Sequence, residues 1–101
     1  MPDGILVLED FAPHVGTPFT LPGSEQSAPI DFTLTEATPL TNRPYPSQAR
    51  APFQLMFRVA AQDVYPQGMY RLTHQAMGEQ DIFLVPAAQS DAGVDYCATF
   101  N

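Results

Sequence analysis

The sequence predicts an all-β fold, a compact antiparallel sandwich or partly closed barrel of about six strands with a short N-terminal helical segment. In the second half of the chain, apolar stretches alternate with turn residues at short intervals, over 51–59, 67–74, 80–87 and 94–101. Their short connections indicate an antiparallel meander, since crossovers between parallel strands take a dozen residues or more. Apolar and polar residues also alternate singly within the stretches, as in strands with one buried face.

The first half of the chain supplies the helical segment and two strands. Residues 8–15 are predicted to form a short helical turn. Pro13 limits its length, and Gly16 can cap its C-terminal end. A first strand is predicted over 17–21. A second follows over 29–38, where apolar and polar residues alternate cleanly. One face of this second strand is therefore expected to be buried and the other wet.

An irregular, proline-rich segment over 39–52 interrupts the strand pattern. Four of its fourteen residues are proline, and it holds two of the four arginines of the chain. A segment of this kind within so small a domain is either a functional loop or a long, stiff connection. The sequence leaves both interpretations open.

The second-half strands supply most of the predicted core. Alternation places the aromatic and aliphatic residues of 53–59 and 70–72 on inward faces, whereas 82–85 is apolar on both faces. The last strand runs to the end of the sequence, which ties the chain end into the sheet. The predicted core comprises Phe32, Phe53, Leu55, Phe57, Tyr70, Leu72, Phe83 and Phe100.

The apolar character of 82–85 also predicts a partner surface. With Phe83 and Val85 assigned to the core, alternation turns Ile82 and Leu84 outward, on the side of the sheet where the arginines of two adjacent strands lie. An exposed apolar pair on a small domain often marks a contact. The alternative is that the N-terminal segment folds over this pair. The predicted partner surface comprises Ile82, Leu84, Arg58 and Arg71.

Composition excludes several classes of partner and compartment. The formal net charge is −7, from eleven acidic residues against four arginines and no lysine. A chain with this charge repels nucleic acid and anionic membranes, and none of its apolar runs approaches the roughly 20 residues of a transmembrane helix. The N-terminus lacks the basic region of a signal peptide, and a lone Cys97 suits a reducing compartment. We expect a cytoplasmic protein.

The residues that carry chemistry are too scattered to predict a reaction. His14 and His74 lie sixty positions apart, and a zinc site needs three or four ligands. Cys97 paired with His74 would resemble a thiol nucleophile and its base, but a cysteine within a strand is by default a buried, inert thiol. Asp91 and Asp95 suit a polar turn better than a calcium loop. We therefore predict no catalytic, metal or cofactor-binding residues.

Motifs along nearly the whole chain resemble a small bacterial all-β domain family of unknown function. They are Glu9-x-Phe11-x-x-x-Val15-Gly16-x-x-Phe19, Pro52-Phe53-x-Leu55-x-Phe57-Arg58, Pro66-Gln67-Gly68-x-Tyr70-x-Leu72-x-His74, Phe83-Leu84-Val85-Pro86 and Tyr96-x-Ala98-x-Phe100-Asn101. Members of the family often stand alone and are encoded near phage-tail-collar-like proteins. The resemblance implies a β-rich accessory of a tail-like or surface-fibre system, and it carries over no catalytic residue.

The functional expectation is a non-catalytic structural or protein-interaction module formed by one domain, residues 1–101. It would bind a protein partner or a second copy of itself, in the cytoplasm or within a phage-tail-like assembly. The alternative is a ligand-binding barrel or a small enzyme that uses the face carrying Arg58 and Arg71. A deep pocket with convergent polar groups would favour the alternative, and a solid core with an apolar surface would favour the interaction module.

Overall fold

A computed structural model describes residues 6–25, 28–40 and 52–100 of the 101-residue chain. Most of the proline-rich segment predicted over 39–52 therefore lies outside the described residues. The described part begins with a short helix and a 3-10 turn, followed by six strands. The elements are α1 (Leu8–Phe11), the 3-10 turn (Ala12–His14), β1 (Pro18–Leu21), β2 (Ile30–Pro39), β3 (Phe53–Val59), β4 (Gly68–His74), β5 (Gly78–Ser90) and β6 (Gly93–Phe100).

The six strands form one antiparallel sheet that closes on itself as a barrel, in the order β1-β2-β3-β6-β5-β4. This confirms the predicted all-β fold of about six strands with a short N-terminal helix. The meander expected for the second half is confirmed for β4, β5 and β6, which pair in sequence order, but it is wrong for β3, which pairs with β6 rather than with β4. Strands β3 to β6 thus make a Greek key, in which the segment 60–67 carries the chain across to β4.

In the closed sheet β3 and β4 are separated, and each of them pairs with other strands. A strand edge left unpaired presents a row of unsatisfied backbone groups, so each edge gains by finding a partner. The free edge of β4 meets β1, where Thr20 lies opposite Thr73, and the edge of β3 is taken by β6. Arg58 and Arg71 therefore do not lie on adjacent strands, contrary to the sequence-based prediction.

A single apolar core fills the interior of the barrel. Five of the predicted core residues are confirmed as buried, namely Phe32, Phe53, Leu55, Phe57 and Leu72. Tyr70 and Phe100 are partly buried and pack against the same cluster. The core also includes side chains outside the predicted set: Phe11, Phe19, Leu34, Val59, Ile82, Leu84, Val94, Tyr96 and Ala98.

The predicted facing of β5 is wrong by one residue. Ile82 and Leu84 are 1% and 0% exposed, whereas Phe83 and Val85 are 47% and 36% exposed. The cause is the register with β4, which places Ile82 opposite Tyr70. Residues opposite each other in a ladder point to the same face of the sheet, so Ile82 follows Tyr70 inward and its neighbours turn outward.

The N-terminal segment closes one end of the barrel. The helix begins where the Asp10 carboxylate accepts a hydrogen bond of 2.9 Å from the Val7 amide, and it carries the fully buried Phe11. The Phe11 ring packs against Phe53 at the start of β3 and Phe100 at the end of β6, with ring centroids 5.9 and 5.5 Å away. The apolar residues of the N-terminal segment therefore pack at this end of the barrel and do not cover the outer face of β5.

Candidate interaction surface

The outer face of the barrel carries a band of apolar side chains across four strands. Met69 on β4 lies directly opposite Phe83 on β5. Val85, two residues further along the same face, lies opposite Cys97 on β6, and Cys97 lies opposite Met56 on β3. We call these five residues the outer apolar band.

The most exposed part of the band is the cross-strand pair of Met69 and Phe83, at its β4 end. Their side chains are 65% and 47% exposed, and Val85 beside them is 36% exposed. Met56 and Cys97, towards the other end of the band, are partly buried. Isolated apolar residues are ordinary on protein surfaces, but neighbours in direct cross-strand register form one continuous patch.

Two bidentate ion pairs border the outer apolar band. On one side Arg71 donates to Asp81 through Nε and Nη2, over 2.8 and 3.2 Å. On the other side Arg58 donates in the same way to Asp95, over 2.7 and 3.2 Å. Each pair lies two residues along the ladder from an apolar pair of the band, so the patch has a polar rim.

The ion pairs are electrostatically satisfied without a ligand. The hydrogen bond from Arg71 lowers the pKa of the Asp81 carboxyl below its ordinary value, and the hydrogen bond with Asp95 raises the pKa of Arg58. Such exposed pairs contribute little to stability. Their planar, two-bond geometry orients the guanidinium groups beside the band.

The predicted partner surface is therefore corrected in composition. Arg58 and Arg71 are exposed, as expected, but each is engaged by a carboxylate. Ile82 and Leu84 lie in the core, and the outward positions of β5 are taken by Phe83 and Val85. The alternation of β4 places Met69 outward already in the sequence, but only the β4–β5 register shows which residue of β5 lies opposite it.

A ligand site inside the barrel finds little support in the described residues. The interior is occupied by the core side chains, and a surface cavity of about 280 Å³ lies near the start of β2 and the end of β3. This volume falls just below the usual range for small-molecule pockets. Asp31 is its one charged lining residue and already accepts a hydrogen bond from Thr20. The other lining residues are Pro29, Ile30, Val59, Ala60, Ala61 and Tyr65.

The thiol–imidazole pair considered from the sequence does not form. His74 is 2% exposed and points inward, where Thr17 and two backbone amides engage its ring nitrogens. Cys97 lies on the outer face of β6 within the apolar band. The two side chains are therefore on opposite faces of the sheet. Across residues 6–25, 28–40 and 52–100, no three His, Cys, Asp or Glu side chains are grouped so that they could hold a metal ion.

These features define a small all-β domain, with a core of buried apolar side chains and an apolar band on its outer face. The model of a family described as a domain of unknown function (DUF6916) matches residues 6–100, and the chain belongs to that family. Searches of curated proteins and of solved structures found no match. Within the described part of the chain, no helix has the length and apolar character needed to cross a membrane.

Proposed function

We propose that this protein is a non-catalytic protein-interaction module, which binds a protein partner or a second copy of itself through the outer apolar band. The observation that carries the proposal is the exposed cross-strand pair of Met69 and Phe83, continued by Val85. Aromatic residues and methionine are enriched at interfaces because they bury a large apolar area. Covering this patch would remove it from water, which is the main driving force for association.

The arrangement of charge around the band supports the same use. Interfaces commonly have an apolar centre inside a polar, solvent-accessible rim. Here the rim consists of the Arg58–Asp95 and Arg71–Asp81 pairs, which flank the apolar centre. Both arginines keep exposed surface through which a partner carboxylate or backbone carbonyl could be bound, so the rim can add specificity to the apolar contact.

The resemblance to a bacterial family encoded near phage-tail-collar-like proteins supports a more specific role. On that basis we propose a structural accessory of a phage-tail-like assembly, made in the bacterial cytoplasm and then incorporated. The partner would be a product of a neighbouring gene. Nucleic acid and anionic membranes are disfavoured as partners by the net charge of −7.

The alternative function, a ligand-binding barrel or a small enzyme, has less support. It would use Arg58 and Arg71 together, but these residues lie on β3 and β4, which are separated in the barrel by β6 and β5. Each guanidinium is also paired with a carboxylate. A core occupied by apolar side chains, together with an exposed apolar band, favours an interaction module.

Adjacent residues of β5 supply a direct test of the proposed interface. Phe83→Glu places a charge on the exposed band and should keep the melting temperature within a few degrees. It should weaken association by roughly tenfold or more, as expected for loss of an exposed aromatic residue that contacts the partner. Leu84→Glu places the same charge in the core and should destabilise the fold by ~3 kcal/mol or more. The comparison separates the two faces of one strand.

The measurements are thermal melting of both variants, sedimentation of the purified protein over a concentration series, and titration with purified products of neighbouring genes. Ala92→Glu, in the exposed turn between β5 and β6, is the control for added negative charge away from the band. If Phe83→Glu self-associates and binds those proteins as the wild type does, the outer apolar band is not the interface. Unfolding of Phe83→Glu with a stable Leu84→Glu would overturn the facing of β5.

A further inference from the structure

His74 closes β4 and connects three parts of the fold through its ring. Its Nδ1 atom lies 2.9 Å from the Ala76 amide and 3.2 Å from the Met77 amide, both in the turn between β4 and β5. Its Nε2 atom lies 2.9 Å from the Thr17 hydroxyl, just before β1. The side chain is 2% exposed, so water cannot replace these partners in the folded protein.

The surrounding hydrogen bonds determine the protonation state of the ring. The Thr17 hydroxyl has one hydrogen, which it donates to the His14 carbonyl oxygen over 2.6 Å. The hydroxyl must therefore accept from His74, so Nε2 carries a hydrogen. Nδ1 accepts from two backbone N–H groups and needs a free lone pair. His74 is thus neutral, with its proton on Nε2.

We propose that His74 is an acid-sensitive lock on the β4–β5 turn, which holds the turn closed only while the ring is neutral. The imidazolium form would carry a hydrogen on Nδ1. This hydrogen would point at the amide hydrogens of Ala76 and Met77, from which the neutral Nδ1 accepts hydrogen bonds. Protonation therefore requires that Ala76 and Met77 lose their acceptor and that the turn opens. The lock is independent of the proposed interface, although both belong to the β4–β5 hairpin.

The groups packed against the ring reinforce this preference for the neutral form. The 3-10 turn contributes His14, whose ring centroid lies 4.5 Å away. Strand β1 contributes the Phe19 ring at 4.4 Å, which is apolar and does not titrate. Burial, and secondarily the neighbouring His14, lower the pKa of His74 below its ordinary value near 6.5.

The sign of the pH effect follows from the lowered pKa. The His74 ring is mostly neutral in both folded and unfolded chains once the pH is more than about one unit above 6.5, so there it adds almost no pH dependence. Below that pH the unfolded chain takes up a proton that the folded chain resists, so stability falls as the pH falls. The unfolding equilibrium constant should rise by at most about tenfold per pH unit, until the pH reaches the pKa of His74 in the folded protein.

The test uses ¹⁵N NMR of the full-length protein between pH 7.5 and 5, with amide hydrogen exchange at Ala76 and Met77. The chain has two histidines, so two sets of ring signals are expected, and the His14→Gln variant described below assigns the set of His74. The His74 ring should show the Nε2–H tautomer and a pKa below 6.5. Exchange at both amides, corrected for its intrinsic pH dependence, should lose protection by up to about tenfold per pH unit below 6.5.

Two variants assign the effect to His74. His74→Asn retains an acceptor near the Nδ1 position but does not titrate, so the pH dependence of turn protection should disappear. His14→Gln removes the neighbouring histidine and should retain the dependence, with the pKa of His74 closer to its ordinary value. A wild-type ring with its proton on Nδ1, or one that titrates at 6.5 or above with both amides still protected, would overturn the proposal. The wild-type spectra test the proposal by themselves, even if His74→Asn fails to fold.

Discussion

Gly93 begins β6 at a point where the hairpin presses against the end of β3. Its φ of +133° lies in the region that L side chains rarely adopt. A Cβ at this position would lie 2.0 Å from the Val59 carbonyl oxygen and 2.9 Å from its carbonyl carbon. Both atoms belong to backbone held in the β3–β6 ladder, so they cannot move aside as a flexible side chain would.

We expect Gly93→Ala to destabilise the protein by about 3 kcal/mol or more, because backbone strain and overpacking add together. The matched control is Gly78→Ala, at a φ of +76° with open space around the position. It should cost only about 1–2 kcal/mol for the left-handed conformation. Urea unfolding of both variants measures the difference. Equal losses would show that Gly93 is not crowded by Val59.

At the scale of the element, the N-terminal helix is too short to be stable alone and depends on the side chain that it buries. Isolated helices shorter than about 12–15 residues are marginal in water, and α1 has four residues. Phe11 compensates through ring contacts with Phe19, Phe53 and Phe100. Phe53 and Phe100 themselves stack with centroids 4.7 Å apart, so one aromatic cluster joins α1 to three strands.

Phe11→Ala should therefore destabilise the whole domain by about 3–5 kcal/mol, as is usual for loss of a buried phenylalanine. Val15→Ala is the control in the same segment, since Val15 is 44% exposed, and it should change stability by about 0.5 kcal/mol or less. Chemical denaturation followed by tyrosine fluorescence measures both. A small loss for Phe11→Ala would mean that the segment can leave the barrel end without affecting the sheet.

At the scale of the whole molecule, the two histidines lie far from the cysteine. His14 and His74 meet near one end of the barrel, with both ring nitrogens of His74 engaged in hydrogen bonds. Cys97 lies on the outer face of the sheet, and the described ranges contain no third ligand near either site. A structural zinc site needs four ligands with defined geometry, so we predict folding without metal.

Elemental analysis of the purified protein should find no stoichiometric metal, and the melting temperature should be the same with and without a chelator. Adding zinc after chelation serves as the control for a site that was emptied during purification. Stoichiometric zinc, or a clear fall in melting temperature on chelation that zinc reverses, would contradict the prediction.

The local alternation of apolar and polar residues was sufficient to predict which segments form strands. It also predicted the buried face of the strands in which this alternation is regular. In 53–59, aromatic and aliphatic residues occupy every second position, and the side-chain period of a strand is two, so the inward face follows directly. The burial pattern of β3 matches this prediction at Phe53, Leu55 and Phe57. The sequence also predicted an exposed apolar pair on β5, but it assigned Ile82 and Leu84 to that pair, and both are buried.

Only the tertiary structure decided which residues form that patch and which strands are neighbours. The stretch 82–85 is apolar at four consecutive positions, so alternation allows either face inward, and the register with Tyr70 selected Ile82 and Leu84. The pairing of β3 with β6 joins residues about forty positions apart, which no local pattern encodes. The sequence by itself therefore determined the elements and the core-forming residue types. The face of β5, the strand order and the surroundings of His74 depend on contacts between distant residues, and these exist only once the sheet has closed.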